Sequence, residues 1–349
     1  MDISLTLPYT TKDLPGIGGK LRKTANNFIV EEIPLYEPQG KGEHLYVNIT
    51  KEGLTTKEVQ RKLANLFKIP ITSIGFAGMK DKNARTTQTF SIKVGRVDER
   101  FIEQTLSQIK DNLPVTVNWA KLHKNKLRVG HLLGNRFIIT ITDLEVSPEE
   151  ALEKVQRIKE EIKRRGLPNF FGPQRFGLNG KNIRLGLEII KGERSAVNNW
   201  TRRFLISSYQ SYLCNLYLIY RLETGNFDKI LKGDIAKKYD TGGLFEVENV
   251  EKEQIRYENH EISFTAPIYG YKMWETKGPA QELEAKVLGE TGMSMEQFRN
   301  AKIKGTRRLG RLLIPDLDVK LKSKDLVVSF SLPKGAFATT VLREIMKSD

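Results

Sequence analysis

Cysteine is nearly absent from this chain: among 349 residues it occurs once, as Cys214. A single cysteine excludes an internal disulfide. Its neighbours, from Tyr212 to Tyr217, are mostly apolar or aromatic, so we expect Cys214 to be a buried small side chain and not a nucleophile. The four histidines are scattered along the sequence. With so few ligands and no paired spacing, we expect no metal site.

Long apolar runs are missing as well. No stretch approaches the roughly 20 residues that span a bilayer, and the first ten residues lack the basic and apolar regions of a signal peptide. The segment Pro15–Lys20 resembles a phosphate-binding loop, but it lacks the glycine spacing, and Leu21 follows the lysine. We therefore expect a cytoplasmic protein without a membrane segment or a nucleotide cofactor.

Positive charge, in contrast, is abundant. Lysine and arginine number 57 against 42 aspartate and glutamate, which gives a formal net charge of +15. Such an excess favours a polyanionic partner, namely RNA, DNA or an anionic membrane surface. A highly charged surface that serves only solubility is the alternative. The length corresponds to roughly two domains.

The order of patterns along the chain indicates an inserted domain. Strand-like alternation of apolar and polar residues occurs at Leu45–Ile49, Phe90–Val94, Phe137–Ile141 and Val328–Leu332. Pro148 and the acids after it predict the start of a helix that ends near Gly166. From about residue 169 to 308 long helical patterns prevail, such as Arg202–Leu222. Strand-rich ends around a helical middle suggest one domain placed within another.

The run G-F-A-G-M-K-D-K-N-A-R-T-T-Q, from Gly75 to Gln88, carries the main candidate for catalysis. Asp81 lies between Lys80 and Lys82, and two neighbouring cations favour an ionised carboxylate. Such a group acts as a nucleophile, an electrostatic stabiliser or a base. A solvated surface turn is the alternative. The apolar residues before Lys80 argue against an idle loop tip.

A second dense segment, N-F-F-G-P-Q-R-F-G at Asn169–Gly177, combines aromatic rings, glycines and an arginine. Bases stack on aromatic rings and arginine binds phosphate, so Phe171 and Arg175 are candidates for RNA contact. A domain hinge with inward-facing aromatics is the alternative. Lys126 and Arg128, in the basic run 121–128, are further candidates for phosphate contact.

These motifs resemble the signatures A-G-x-K-D-K-x-A-x-T-x-Q and N-[YF]-F-G-x-Q-R-F-G of the TruD family of tRNA pseudouridine synthases. Further agreements, in the same order, are Phe28–Glu31, Gly42–His44, Gly134–Phe137, Gly233-Asp234 and Leu332–Thr340. The resemblance implies an α+β fold: a pseudouridine-synthase catalytic domain with a mixed, largely antiparallel sheet, and an inserted, mainly helical α/β domain. We assign residues 1–165 and 309–349 to the first and 166–308 to the second.

The resemblance also implies roles for individual residues. Asp81 matches the catalytic aspartate, and Arg22 a basic residue that pairs with it. Phe137 matches an aromatic that stacks on the target base, and Asn135 the asparagine beside it. Candidate RNA contacts are Lys80, Lys82, Gln88, Lys126, Arg128, Phe171 and Arg175. Where many relatives have phenylalanine, this chain has Cys214.

The implied activity is the isomerisation of a uridine in tRNA, at position 13, after the base is flipped out of the RNA. The reaction is not a redox reaction and needs no cofactor or metal. We expect tRNA as the partner, no obligate protein partner and a monomer. A catalytically silent RNA-binding or tRNA-folding protein on the same fold is the alternative.

Overall fold

The computed structural model describes residues 3–21, 24–195 and 198–348, and the chain divides into two compact units. The sheet unit comprises Gly16–Lys159, Ile314–Gly335 and Met346–Asp349. The helical unit comprises Met1–Pro15, Glu160–Leu313 and Ala336–Ile345. The functional domain boundaries at 165/166 and 308/309 stay a prediction, because compactness does not say which residues carry which role.

Strands and helices occur in both units. In chain order the strands are β1 Phe28–Pro34, β2 His44–Lys51, β3 Ile74–Phe76, β4 Arg85–Lys93, β5 Val115–His123, β6 Leu132–Ile141, β7 Leu167–Pro168, β8 Ile235–Lys238, β9 Leu244–Glu246, β10 Ile262–Ile268, β11 Thr306–Leu309, β12 Arg311–Leu312, β13 Asp318–Lys322 and β14 Asp325–Pro333. The α-helices are α1 Thr56–Leu66, α2 Glu99–Asn112, α3 Pro148–Arg165, α4 Lys181–Lys191, α5 Asn199–Glu223, α6 Val250–Glu258, α7 Gly278–Glu290, α8 Met295–Asn300 and α9 Ala338–Met346. Among the described residues, no helix has both the length and the hydropathy to cross a membrane.

The sheet unit is built on one mixed sheet. Within the described ranges its strand order is β13-β14-β6-β1-β4-β2-β5, and β3 pairs with β4. The pair β1–β4 is parallel, and the other pairs described in this sheet are antiparallel. The predicted α+β class with a mixed, largely antiparallel sheet is confirmed.

One face of this sheet is apolar over β2 and β4, where α1 and α2 pack on it. The alternating residues Leu45, Val47 and Ile49 of β2 are fully buried there, as the sequence pattern predicts. Thr55 caps α1: its hydroxyl accepts a hydrogen bond from Glu58 N, and the Glu58 carboxylate accepts one from Thr55 N. The first turn of α1 is therefore firmly placed over this face.

The helical unit has its core around α5, which is longer than the predicted Arg202–Leu222. An antiparallel sheet of order β11-β10-β8-β9 lies in the same unit, and β10 contributes to this core. Cys214 is fully buried on α5, and desolvation raises the pKa of its thiol to about 12. The prediction of a buried, unreactive side chain is confirmed.

The end of α3 also agrees with the sequence. The helix ends at Arg165, and Gly166 follows in the left-handed region with φ of 72°. A Cβ atom at this position would lie 2.6 Å from the Leu312 carbonyl oxygen. Glycine is therefore required here for two reasons, the backbone conformation and the close approach of β12.

Candidate active site

Asp81 lies in the loop of residues 77–84 that joins β3 to β4. β3 and β1 both pair with the same edge of β4, at different positions. β3 pairs with Phe90–Ile92 and β1 with Arg85–Thr87. Because β1 fills that edge beside the start of β4, the connecting chain leaves the plane of the sheet. Asp81 is partly buried in this loop, and its carboxylate accepts a hydrogen bond from Asn83 N at 3.0 Å.

A row of side chains crosses the sheet on the face to which this loop is fastened. Residues directly opposite in neighbouring strands have their side chains on the same face. The register aligns Phe330 of β14, Phe137 of β6, Val30 of β1, Thr86 of β4 and Lys51 of β2. The alternation of side chains brings a second set to this face, two residues along the strands: Asn135 of β6, Glu32 of β1 and Gln88 of β4.

Buried hydrogen bonds fasten the loop to this face. The Lys80 ammonium donates to the Glu32 carboxylate at 2.9 Å, and these side chains are 4% and 3% exposed. The Lys80 backbone N donates to Thr56 Oγ1 at 2.8 Å, and that hydroxyl donates to Gln88 Oε1 at 2.8 Å. These bonds fix the backbone immediately before Asp81, so the position of its carboxylate is determined by the sheet beneath.

Lys51, which the sequence analysis did not single out, also supports the loop. It is 1% exposed, and its ammonium donates to the carbonyl oxygens of Leu54 at 2.6 Å and Asp81 at 3.1 Å. Desolvation lowers the pKa of Lys51 to about 8, although the nearby Asp81 charge opposes this shift. The sequence did contain a signal, since Lys51 continues the inward-facing alternation of β2.

We predict that Lys51 makes the stability of the protein depend on pH between about 8 and 10.5. In this range the unfolded chain, with an ordinary lysine, binds more protons than the folded chain, so the free energy of unfolding rises with pH. Urea unfolding of the wild type and of Lys51→Met at several pH values measures this contribution.

The wild-type free energy of unfolding minus that of Lys51→Met should increase as the pH rises through this range. Lys82→Met is the control, because Lys82 is an exposed lysine of the Asp81 loop. The wild-type free energy of unfolding minus that of Lys82→Met should not change with pH. A flat difference for Lys51→Met as well would contradict the lowered pKa.

Phe137 and Asn135 are neighbours on this face, two residues apart on β6. Phe137 is 8% exposed, with Phe330 stacked on it at 5.4 Å between ring centroids and Phe28 edge-on at 6.4 Å. Asn135 Oδ1 is buried without a hydrogen-bond partner in the described residues. A buried acceptor that lacks a partner calls for a functional explanation. Asn135 Oδ1 and the Phe137 ring together suit a flat ligand that has an N–H donor.

Two residues predicted to contact RNA face inward instead. Lys80 is held by Glu32, and Gln88 is fully buried against Thr56. The physical reason is that β4 and the loop turn these side chains toward the sheet, so neither reaches solvent. The predicted partner of Asp81, Arg22, lies outside the described residues.

The other candidate RNA residues differ in their surroundings. Lys82 and Arg128 are exposed, and the Lys126 ammonium donates to the Thr72 carbonyl oxygen. Phe171 and Arg175 belong to the helical unit, where the Arg175 guanidinium carbon lies 5.7 Å from the Phe171 ring centroid.

In the described part of the chain, no group of three or more His, Cys, Asp or Glu residues could hold a metal ion.

Comparisons with known proteins agree with the motifs. The family model described as tRNA pseudouridine synthase D (TruD) matches residues 4–200 and 194–345. The tRNA pseudouridine synthase D of Thermus thermophilus is 41% identical over 340 residues, which cover 97% of this chain and 92% of that protein. That of Anaeromyxobacter dehalogenans is 38% identical over 352 residues, with 98% and 97% covered. A crystal structure described as TruD from Methanosarcina mazei superposes with a TM-score of 0.78 at 28% identity, covering 100% of this chain and 97% of that one.

Proposed function

The chain belongs to the TruD family of tRNA pseudouridine synthases, and on this premise we propose that it isomerises uridine 13 of tRNA with Asp81 as its catalytic residue. One observation carries the proposal: the Asp81 loop is bonded to the sheet face that bears Phe137 and Asn135, whose Oδ1 is buried with no partner in the described ranges. We expect a monomeric, cytoplasmic enzyme that needs no cofactor, no metal and no obligate protein partner.

The reaction exchanges one bond of the uridine for another. The bond from ribose C1′ to base N1 breaks, the base turns within the site, and a bond from C1′ to base C5 forms. The C5 proton is released and N1 gains a proton, so the product is an isomer of the substrate. The enzyme must therefore supply a group that acts on the ribose and a surface that retains the detached base.

Asp81 is the group that acts on the ribose. As a carboxylate it either attacks C1′ or removes the C2′ proton to give a glycal, and a carboxylate has the chemistry for both routes. The nearby Lys51 and Lys82 favour the charged form. In the family a basic residue at the position of Arg22 pairs with this aspartate, and a guanidinium can orient a carboxylate through two parallel hydrogen bonds.

Phe137 and Asn135 would retain the base. Extruding a uridine from RNA costs a few kcal/mol, and stacking on an aromatic ring returns about 1–3 kcal/mol. Uracil has an N–H donor at N3, which the buried Asn135 Oδ1 can accept. This hydrogen bond satisfies an acceptor that no described residue of the chain pairs with, so uracil gains affinity in this site for a specific chemical reason.

A tritium-release assay tests the proposed function. Transcribed tRNA carrying uridine labelled with tritium at C5 loses that tritium to water when C5 bonds to the ribose. We expect release by the wild type and a pseudouridine at position 13 when the product is mapped. Binding of tRNA without any release would favour the silent RNA-binding protein. Release only from a uridine at another position would support pseudouridine formation but refute position 13 as the target.

Stacking on Phe137 predicts the effect of Phe137→Leu. Leucine keeps most of the apolar volume between Phe28 and Phe330 but offers no ring, so kcat/KM should fall by about 10- to 100-fold. Phe90→Leu is the matched control, because Phe90 is fully buried in the same sheet but outside the proposed site. Both variants lose core packing, and the control should keep its activity. Equal kinetics for the two variants would remove the stacking role.

A further inference from the structure

The helical unit contains a cavity whose charged lining residues are all basic. It has a volume of about 660 Å³ and lies between α5 and the segment that leads into β11. Its charged lining residues are Arg202, Arg203, Lys302 and Lys304. None of the four forms an ion pair with a carboxylate within the described ranges. The positive charge of this cavity is therefore not balanced by a salt bridge from any residue that the structure describes.

The segment that carries the two lysines is held tightly. Tyr271 N donates to the Ile303 carbonyl oxygen at 2.9 Å, and Lys272 N donates to that of Lys304 at 2.6 Å. Gly305 has φ of 72°, and a Cβ atom there would lie 2.6 Å from Gly270 N. Because this backbone is fixed, the protein holds like charges together, an arrangement that an anionic ligand would stabilise.

An exposed aromatic platform adjoins the cavity along α5. Trp200 is 73% exposed, and its ring lies parallel to that of Phe204 at 5.5 Å between centroids. Arg203 follows Trp200 by three residues, so it lies beside the platform on the helix surface, and it also lines the cavity. A flat exposed ring thus lies about one helical turn from Arg203, one of the cations that line the cavity.

The stack continues beneath the platform. The Arg175 guanidinium carbon lies 5.8 Å from the Phe204 ring and 5.7 Å from the Phe171 ring, and that of Arg308 lies 4.0 Å from the Phe171 ring. Arg175 is also fixed by hydrogen bonds to Ser207 and Ser211 of α5. Trp200 therefore rests on an ordered column of rings and guanidinium groups.

We propose that this surface, which we name the α5 patch (Trp200, Arg202, Arg203, Lys302 and Lys304), binds an unpaired nucleotide of the tRNA other than the one that reacts. The cations bind the phosphates of its backbone, and the base stacks on the Trp200 indole. A paired base hides its faces within the helix, so the platform selects a nucleotide from a loop or an end. The proposal rests on the proposed function in that the RNA is tRNA.

An acidic protein segment would complement the cations as well, but it would gain little from the exposed indole. Nucleotides use both features, because every base has a face that stacks on an aromatic ring, and its backbone is an anion. The observations therefore favour RNA, and an acidic peptide becomes one of the outcomes that the test distinguishes.

Binding measurements in the Asp81→Asn background test the patch without turnover. Fluorescence anisotropy with labelled tRNA at several salt concentrations gives the affinity and its salt dependence. Trp200→Ala should weaken binding about 5- to 100-fold with little change in the salt slope. Arg203→Gln with Lys304→Gln should weaken binding and lower the slope of log K against log salt by about 1 to 2. Arg202 is left intact, since its guanidinium donates to the Ala301 carbonyl oxygen.

Matched controls come from the same unit. Trp274→Ala removes another partly exposed tryptophan, and Lys238→Gln another exposed lysine, both outside the patch. These controls should bind tRNA as the parent does. Unchanged affinity and slope in both patch variants would overturn the proposal. The proposal would also be overturned if polyglutamate displaced tRNA and Trp200→Ala bound tRNA with full affinity. The patch would then bind anions in general, without stacking of a base.

Turnover separates this proposal from the proposed function. With Asp81 intact, the patch variants should keep kcat at saturating tRNA and lose kcat/KM, because the patch contributes to substrate binding and supplies no group to the reaction. A wild type that releases no tritium, but whose tRNA affinity still depends on the patch, would refute the proposed function and support the patch.

Discussion

Asp81→Asn should abolish pseudouridine formation, with kcat lowered by at least about 10³-fold, while the affinity for tRNA stays close to that of the wild type. The amide has nearly the same shape as the carboxylate but can neither attack the ribose nor accept its proton. Removing an essential nucleophile or base costs an enzyme several orders of magnitude in kcat. Single-turnover tritium release gives the rate, and anisotropy with labelled tRNA gives the affinity.

The hydrogen bonds described around Asp81 can be kept in Asp81→Asn. Its backbone carbonyl oxygen still accepts from Lys51, and the amide oxygen can still accept from Asn83 N. The loop should therefore keep its conformation. Asp111→Asn is the control, because Asp111 is an exposed acid of α2 in the same unit. Turnover by Asp81→Asn equal to that of this control would remove Asp81 from the mechanism.

A large loss of stability is expected for Glu32→Gln. This change leaves the Lys80 ammonium buried without a charged partner, at a site where both side chains are almost inaccessible. Removing one member of a buried ion pair typically costs about 3–5 kcal/mol. Urea unfolding measures the loss. The rate of the chemical step should fall too, since the ion pair anchors the residue before Asp81.

A double variant separates the two effects. Glu32→Leu combined with Lys80→Met removes both buried charges, and apolar replacements of this kind often restore stability. We expect most of the unfolding free energy to return while kcat stays low, because the anchor of the loop is still missing.

Glu150→Gln breaks an i,i+4 pair with Lys154 at the surface and should cost no more than about 0.5 kcal/mol. A loss that small for Glu32→Gln would contradict the buried pair.

Helix prediction failed where tertiary packing overrides local preference. The sequence analysis did not predict α4, which has Gly186 in its interior. Glycine disfavours a helix interior by about 1 kcal/mol relative to alanine. Here a Cβ atom would lie 2.3 Å from the Leu205 carbonyl oxygen, so glycine permits α4 to pack against α5. That reason exists only once the two helices are in contact.

The candidate site divides along the same line. Asp81 was proposed from its motif, and Phe137 and Asn135 from the family resemblance, because such proposals need only the residue types and their order along the chain. Lys80 and Gln88 were predicted to contact RNA, yet both side chains are buried where the loop meets the sheet, and Lys51 was missed. A run of cations shows how much charge is present but not which side chains the sheet covers.

The amino-acid sequence by itself determined the strand alternation, the helix ends at Pro148 and Gly166, the buried cysteine and the motifs that place the chain in its family. These features depend on residue type and on spacing along the chain. Only the tertiary structure decided which lysines support the Asp81 loop from within and which remain exposed. That choice depends on strand register and on buried partners such as Glu32, which are distant in sequence and meet only when the sheet forms.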